Sequence, residues 1–207
     1  IPPVYVPTNV TDKWGNLIHQ DYTVDVTQFY QQILPTADAL GNPTGFPMTK
    51  VWGYGGMAKD AVTGASLGYI RHSPAATFEA IRRVPIKVKW VNNLGTKKYP
   101  LPHLFPVDPT LHWANPNNMM MPMPPFTPYP PGYPEAQTPV PIVTHLHGEE
   151  VPSAFDGGPD EWFTPNGIQG PGYSTYERTD RNAAVYYYPN KQLPTTLWYH
   201  DPVSYTH

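Results

Sequence analysis

Apolar and polar positions alternate along several short stretches of this chain. Residues 22–27 (Tyr-Thr-Val-Asp-Val-Thr) carry the period-2 mark of a half-buried strand, and residues 28–34 continue the run. In residues 85–91, Ile86, Val88 and Trp90 alternate with Lys87 and Lys89, a one-face pattern. Shorter strands are expected at 51–54 and 76–80. Residues 141–148 read as a strand running into a turn, residues 182–190 as a strand followed by a turn, and residues 195–200 as the last strand. Pro, Gly and Asn at turn spacing make 35–47 a loop, and Asn92-Asn93-Leu94-Gly95 closes the strand before it. Residues 149–179 form a Gly/Pro/Asp-rich excursion.

Two regions lack this regularity. Residues 1–21 are polar and turn-rich and read as an extended amino-terminal arm without helix. Residues 100–141 form a Pro/Met-rich loop region. Neither an internal repeat nor a linker divides the chain, so residues 1–207 are expected to form a single domain. Short strands joined by long loops predict an all-β Greek-key β-sandwich or barrel.

Composition agrees. The 29 prolines and 16 glycines oppose an all-helical protein, and the 15 tyrosines suit strands. A net charge of −3 leaves no nucleic-acid footprint; the basic pairs Arg82-Arg83 and Lys97-Lys98 are too short for one. No stretch approaches the ~18–20 apolar residues of a membrane span. With no cysteine, disulfides and thiolate metal sites are excluded from this chain. The first residue is Ile1 rather than Met, which a removed signal peptide or a trimmed start would explain.

The candidate chemistry lies in the histidines. His145 and His147, two apart on a predicted strand, project to one face, where one metal or two adjacent metals could share them. Imidazole suits copper, zinc, iron and nickel alike. An H-x-H alone is a weak signal, and His200, ending the run Leu197-Trp198-Tyr199, reads by itself as a buried core histidine. Met119-Met120-Met121-Pro122-Met123 offers soft thioethers, but Pro122 and Pro124 break any regular ligand geometry, so hydrophobic cover is the better reading.

The combination carries a resemblance. Thr144-His145-Leu146-His147-Gly148 resembles the H-x-H-G copper motif of multicopper oxidases, and Leu197-Trp198-Tyr199-His200-Asp201 resembles their W-[YF]-H-D-H motif. Between them, residues 151–159 are similar to the V-P-x-x-x-D-G-G-P segment of bacterial members, and Tyr188-Pro189-Asn190 to the turn before the second motif. Residues 74–94 are similar to the family's S-P-G-P-T-I-E-A…P-V-x-V-x-W-x-N-N-L stretch, and the opening Ile1-Pro2-Pro3 and Trp52-Gly53-Tyr54 resemble the spore-coat laccase and bilirubin-oxidase branch. The chain is thereby identified as resembling the amino-terminal cupredoxin domain of that family, over nearly its whole length.

The resemblance implies roles. His145 would bind a type 2 copper, and His147 and His200 type 3 coppers, as part of a trinuclear copper site. Asp156 would help deliver protons to reduced oxygen; outside the resemblance it reads as an Asp-Gly turn residue. The implied reaction is oxidation of a phenol, a bilin or a metal ion coupled to reduction of O2 to water. The implied location is secreted or extracytoplasmic. The implied partner is a further cupredoxin domain, or a partner chain, carrying the Cys-containing type 1 copper site.

Two departures matter. Pro202 stands where the second motif has its last histidine, and residues 203–207 do not resemble the family's continuation, although His207 is a conceivable substitute ligand. The missing cysteine means that this chain cannot by itself couple substrate oxidation to oxygen reduction. Two alternatives therefore stand beside the oxidase fragment. One is a non-enzymatic cupredoxin-like structural or interaction module that has lost the cluster. The other is a mononuclear copper or zinc binder using the three histidines.

Overall fold

A computed structural model describes residues 1–104, 114, 116 and 139–201. The fold is all-β and cupredoxin-like. Nine strands are formed by the described residues: β1 (Val4–Tyr5), β2 (Thr8–Thr11), β3 (Leu17–Gln31), β4 (Thr49–Lys59), β5 (Ser66–His72), β6 (Ile86–Asn92), β7 (His145–His147), β8 (Ala183–Tyr188) and β9 (Trp198–His200). Seven make one sheet along β1-β4-β3-β6-β8, with β2 added to β3 and β5 to β4. The remaining pair, β7 and β9, makes a small second sheet.

The alternation in the sequence is the alternation of the core. Along β6 the residues Ile86, Val88, Trp90 and Asn92 are buried and those between them are not. This strand lies between β3, parallel to it, and β8, antiparallel to it. Tyr22 and Val24 from β3 and Ala184, Tyr186 and Tyr188 from β8 complete the buried layer. Each such side chain withdrawn from water is worth about 1.5–3 kcal/mol. In β3 the buried phase shifts after Val26, and Phe29 is buried under the Arg71 guanidinium, 5.4 Å from its ring.

Asn92 is the polar exception. It is fully buried, and its amide donates to the carbonyls of Val140 and Phe163, both at 2.9 Å, while its Oδ1 accepts the Leu94 N–H. A buried amide costs free energy unless it is paired. Here the pairing fastens to the end of β6 the two segments that flank the entry to β7.

Several elements differ from expectation. The amino-terminal arm is extended, and it is also paired: β1 joins β4, and β2 forms a hairpin with β3. The strand expected at 76–80 is not formed. Only Thr77 forms a strand bridge, an isolated parallel one to Val4, because two-residue β1 offers no longer ladder. Phe78 instead fills a space among the rings of Tyr5, Tyr22, Trp90 and Tyr199. The strand expected from residue 141 is confined to His145–His147, since Ile142 pairs with Phe163 rather than with β9. Met119 to Met123, Pro202 and His207 lie outside the described residues.

Candidate metal centre

The second sheet has two unlike faces. In its register His145 lies opposite His200, Leu146 opposite Tyr199, and His147 opposite Trp198. Period-2 geometry therefore puts Leu146 and Tyr199 on one face and three histidines with Trp198 on the other. The inner face is anchored. Leu146 packs on the core, and the Tyr199 ring meets Tyr54, Phe78 and Trp90 at 5.1, 5.3 and 5.7 Å between centroids. The Tyr199 hydroxyl donates to the Ala76 carbonyl at 2.6 Å. Burial pushes this phenol far above its ordinary pKa, so it stays a donor.

That anchoring orients the outer face. Ring centroids lie 5.4 Å apart for His145 and His147, 5.6 Å for His145 and His200, and 5.7 Å for His147 and His200. One nitrogen from each ring lies within 4.8 Å of the others. His147 Nδ1 and His200 Nε2 lie 3.4 Å apart. Trp198 is 59 % exposed and stacks on His200 at 4.5 Å and beside His147 at 4.9 Å. His200 also borders a cavity of about 1060 Å³ whose walls include Trp52, Tyr54, Phe78 and Leu197.

Asp156 reaches the site from the 149–179 excursion. A 3-10 turn, Ser153–Phe155, buries Phe155 and delivers Asp156 directly after it. The Asp156 carbonyl oxygen takes a hydrogen bond from His145 Nδ1, and its carboxylate Oδ1 lies 3.3 Å from the same nitrogen. Two acceptors on Nδ1 favour a proton there and leave Nε2 with its lone pair for a metal. Gly157 then turns the chain at φ +76°, packed against the Thr144 carbonyl.

The structure thus brings together His145, His147, His200 and Asp156. Two further residues of the site were not singled out from sequence. Trp198 could have been found one strand period before His200, whereas nothing in the pattern pointed to Glu161, described below. Three imidazoles converging from two strands fit a copper or zinc ion by donor type and spacing.

No family model matches the chain. Individual relatives do. It is 35 % identical over 156 residues to a laccase of Bacillus stratosphericus, covering 75 % of this chain and 21 % of that protein. It is 31 % identical over 180 residues to a laccase of Haloferax volcanii, covering 87 % and 23 %. It is 36 % identical over 129 residues to multicopper oxidase LPR1 homolog 1 of Oryza sativa subsp. japonica, covering 62 % and 17 %. The chain spans about a fifth of the length of these relatives. By its sequence likeness to these proteins, this chain belongs to the multicopper oxidase family.

Proposed function

We propose that this chain supplies one side of the trinuclear copper site of a multicopper oxidase. His145 would serve the type 2 copper, and His147 and His200 the type 3 coppers. The observation that carries the reading is the convergence of the three imidazoles within 4.8 Å on the outer face of the second sheet. Copper, when bound, supplies the redox chemistry that reduces O2 to water. The chain's own residues orient and hold. Leu146 and Tyr199 fix the sheet on the core, and Asp156 holds His145 by Nδ1. Half-exposed beside that ring, the Asp156 carboxylate can relay protons through water. The reducing substrate would be a phenol, a bilin or a metal ion. Electrons would enter through a further cupredoxin domain or partner chain with a Cys-containing type 1 site, and the chain would be secreted or extracytoplasmic.

A second reading rests on the missing cysteine and on Pro202. It makes the chain a cupredoxin-like module that has kept the fold without the cluster. The two part on one experiment: copper per chain in protein purified without added metal and after copper reconstitution, with mass spectrometry of every chain present. The oxidase reading expects copper alongside a cysteine-bearing domain or longer parent chain, and loss of that copper in H145A, H147A and H200A. No copper under either condition, or copper unchanged in all three variants, sinks it. Copper or zinc lost in the variants, but with no cysteine-bearing partner, would assign a mononuclear site instead.

A further inference from the structure

Glu161 lies outside every motif that points to the site, yet it sits directly behind it. It is only 8 % exposed. Its Oε2 accepts the Gly157 N–H at 3.2 Å and the Tyr186 hydroxyl at 3.0 Å. Tyr186 is itself fully buried in the centre of β8. Glu161 also donates its own N–H to the Gly158 carbonyl at 3.0 Å, closing the turn that starts at Gly158, directly after Gly157. A continuous path therefore runs from the main sheet, through Tyr186 and the Glu161 carboxyl, to the Gly157 amide. From there it passes along one peptide to Asp156 and on to His145 Nδ1.

The arrangement is specific in two ways. A buried carboxyl is expensive, and here desolvation raises its pKa, with the Asp156 charge adding to the rise. A segment that needed only to pack would be better served by an apolar side chain at this position. In addition, Asp156 is half-exposed and on an irregular segment, so its own packing does not hold it against His145. The adjoining peptide must be held, and Glu161 holds it.

We propose that Glu161 is a positioning residue which, by gripping the Gly157 amide from the buried β8 tyrosine, sets Asp156 against His145 and so fixes the His145 ring with Nδ1 protonated and Nε2 available. Its bearing on metal rests on the reading above, but the positioning does not. Outer-shell partners of this kind typically govern metal affinity by about 10–100-fold.

The test uses the full 207-residue chain, free of metal, at neutral pH. Long-range nitrogen–proton correlation spectra report the tautomer of His145. The wild type is expected to show the Nδ1–H form. E161Q keeps an oxygen that can accept from both Gly157 and Tyr186, and is expected to retain that form. E161M, which fills the space without an acceptor, and E161A are expected to let the Nε2–H form appear. Having both guards against one failing to fold. Retention of the wild-type tautomer in folded E161M or E161A, or its equal loss in E161Q, overturns the proposal. With Cu(II) as the probe, affinity should fall about 10–100-fold in E161M and stay near wild type in E161Q. A wild type that binds no copper would refute the copper reading while leaving the tautomer result to stand or fall on its own.

Discussion

Replacing Gly157 by alanine tests whether the turn beside the site is as tightly built as its geometry indicates. Two costs are independent. At φ +76° a side chain is strained, by about 1–2 kcal/mol. A Cβ there would also overlap the Thr144 carbonyl oxygen and lie 2.8 Å from its carbon and 3.0 Å from the His145 Cα. Those are backbone atoms, held on one side by the β7–β9 pairing, so they cannot swing away as a flexible side chain would. Overpacking of this kind costs about 1–3 kcal/mol. Together the two predict a loss of about 3 kcal/mol, which for a domain of this size lowers the melting temperature by roughly 6–12 °C. The neighbouring glycine is the control. A Cβ on Gly158 would have Glu161 Oε1 as its nearest neighbour, at 3.5 Å, an ordinary contact, and its φ lies outside the strained region. G158A should therefore stay within about 0.5 kcal/mol of wild type, as benign substitutions do. The assay is urea unfolding of the three proteins, checked by thermal melts. G157A within about 0.5 kcal/mol of wild type, or G158A as destabilised as G157A, would refute the reasoning.

Two other outcomes follow from single contacts. Trp198 stacks on His200 and beside His147, so Cu(II) held by those rings should quench its fluorescence; W198F should remove most of the copper-dependent change, and an unchanged quench would place the ion elsewhere. His103 is buried near Trp52, and desolvation lowers its pKa to about 4 from the ordinary 6.5. The folded state thus binds its proton less readily than the unfolded state. The stability involved is present above pH 6.5 and is lost as pH falls from there through about 4. H103Q should lose that part of the acid sensitivity, whereas a stability difference from wild type that is constant between pH 4 and 7 would contradict the assignment.

The parts of this fold that could be read from sequence are those where one face is dry and the other wet. β6 alternates because the sheet covers only one of its faces, and Lys87 and Lys89 pair with Glu177 and Asp180 on the other. β5 escaped notice for the opposite reason. It extends one side of β4, exposes Ser66, Leu67, Tyr69, Arg71 and His72, and is broken by Gly68 at φ +68°, so burial imposes no period on it. Residues 76–80 misled because Phe78 is buried as a plug among aromatic rings, and a buried ring looks the same in sequence whether or not its backbone is paired.

The candidate site divides along the same line. Strand periodicity tells which side chains share a face within one strand, and so His145 and His147 could be grouped, and His200 placed one period from Trp198. It carries no information on which strands are neighbours. That His145 faces His200, 55 positions away in sequence, depends on Leu146 and Tyr199 both seeking the same apolar layer. Asp156 and Glu161 are less legible still, because they act through an irregular segment where hydrogen bonds to single backbone groups replace any period. Glu161 has no pattern at all: its place is defined by Tyr186 below it and the Gly157 amide above it. A strand that presents ligands can therefore be found by its alternation, whereas the groups that orient those ligands emerge only when each buried polar atom is asked what it is bonded to.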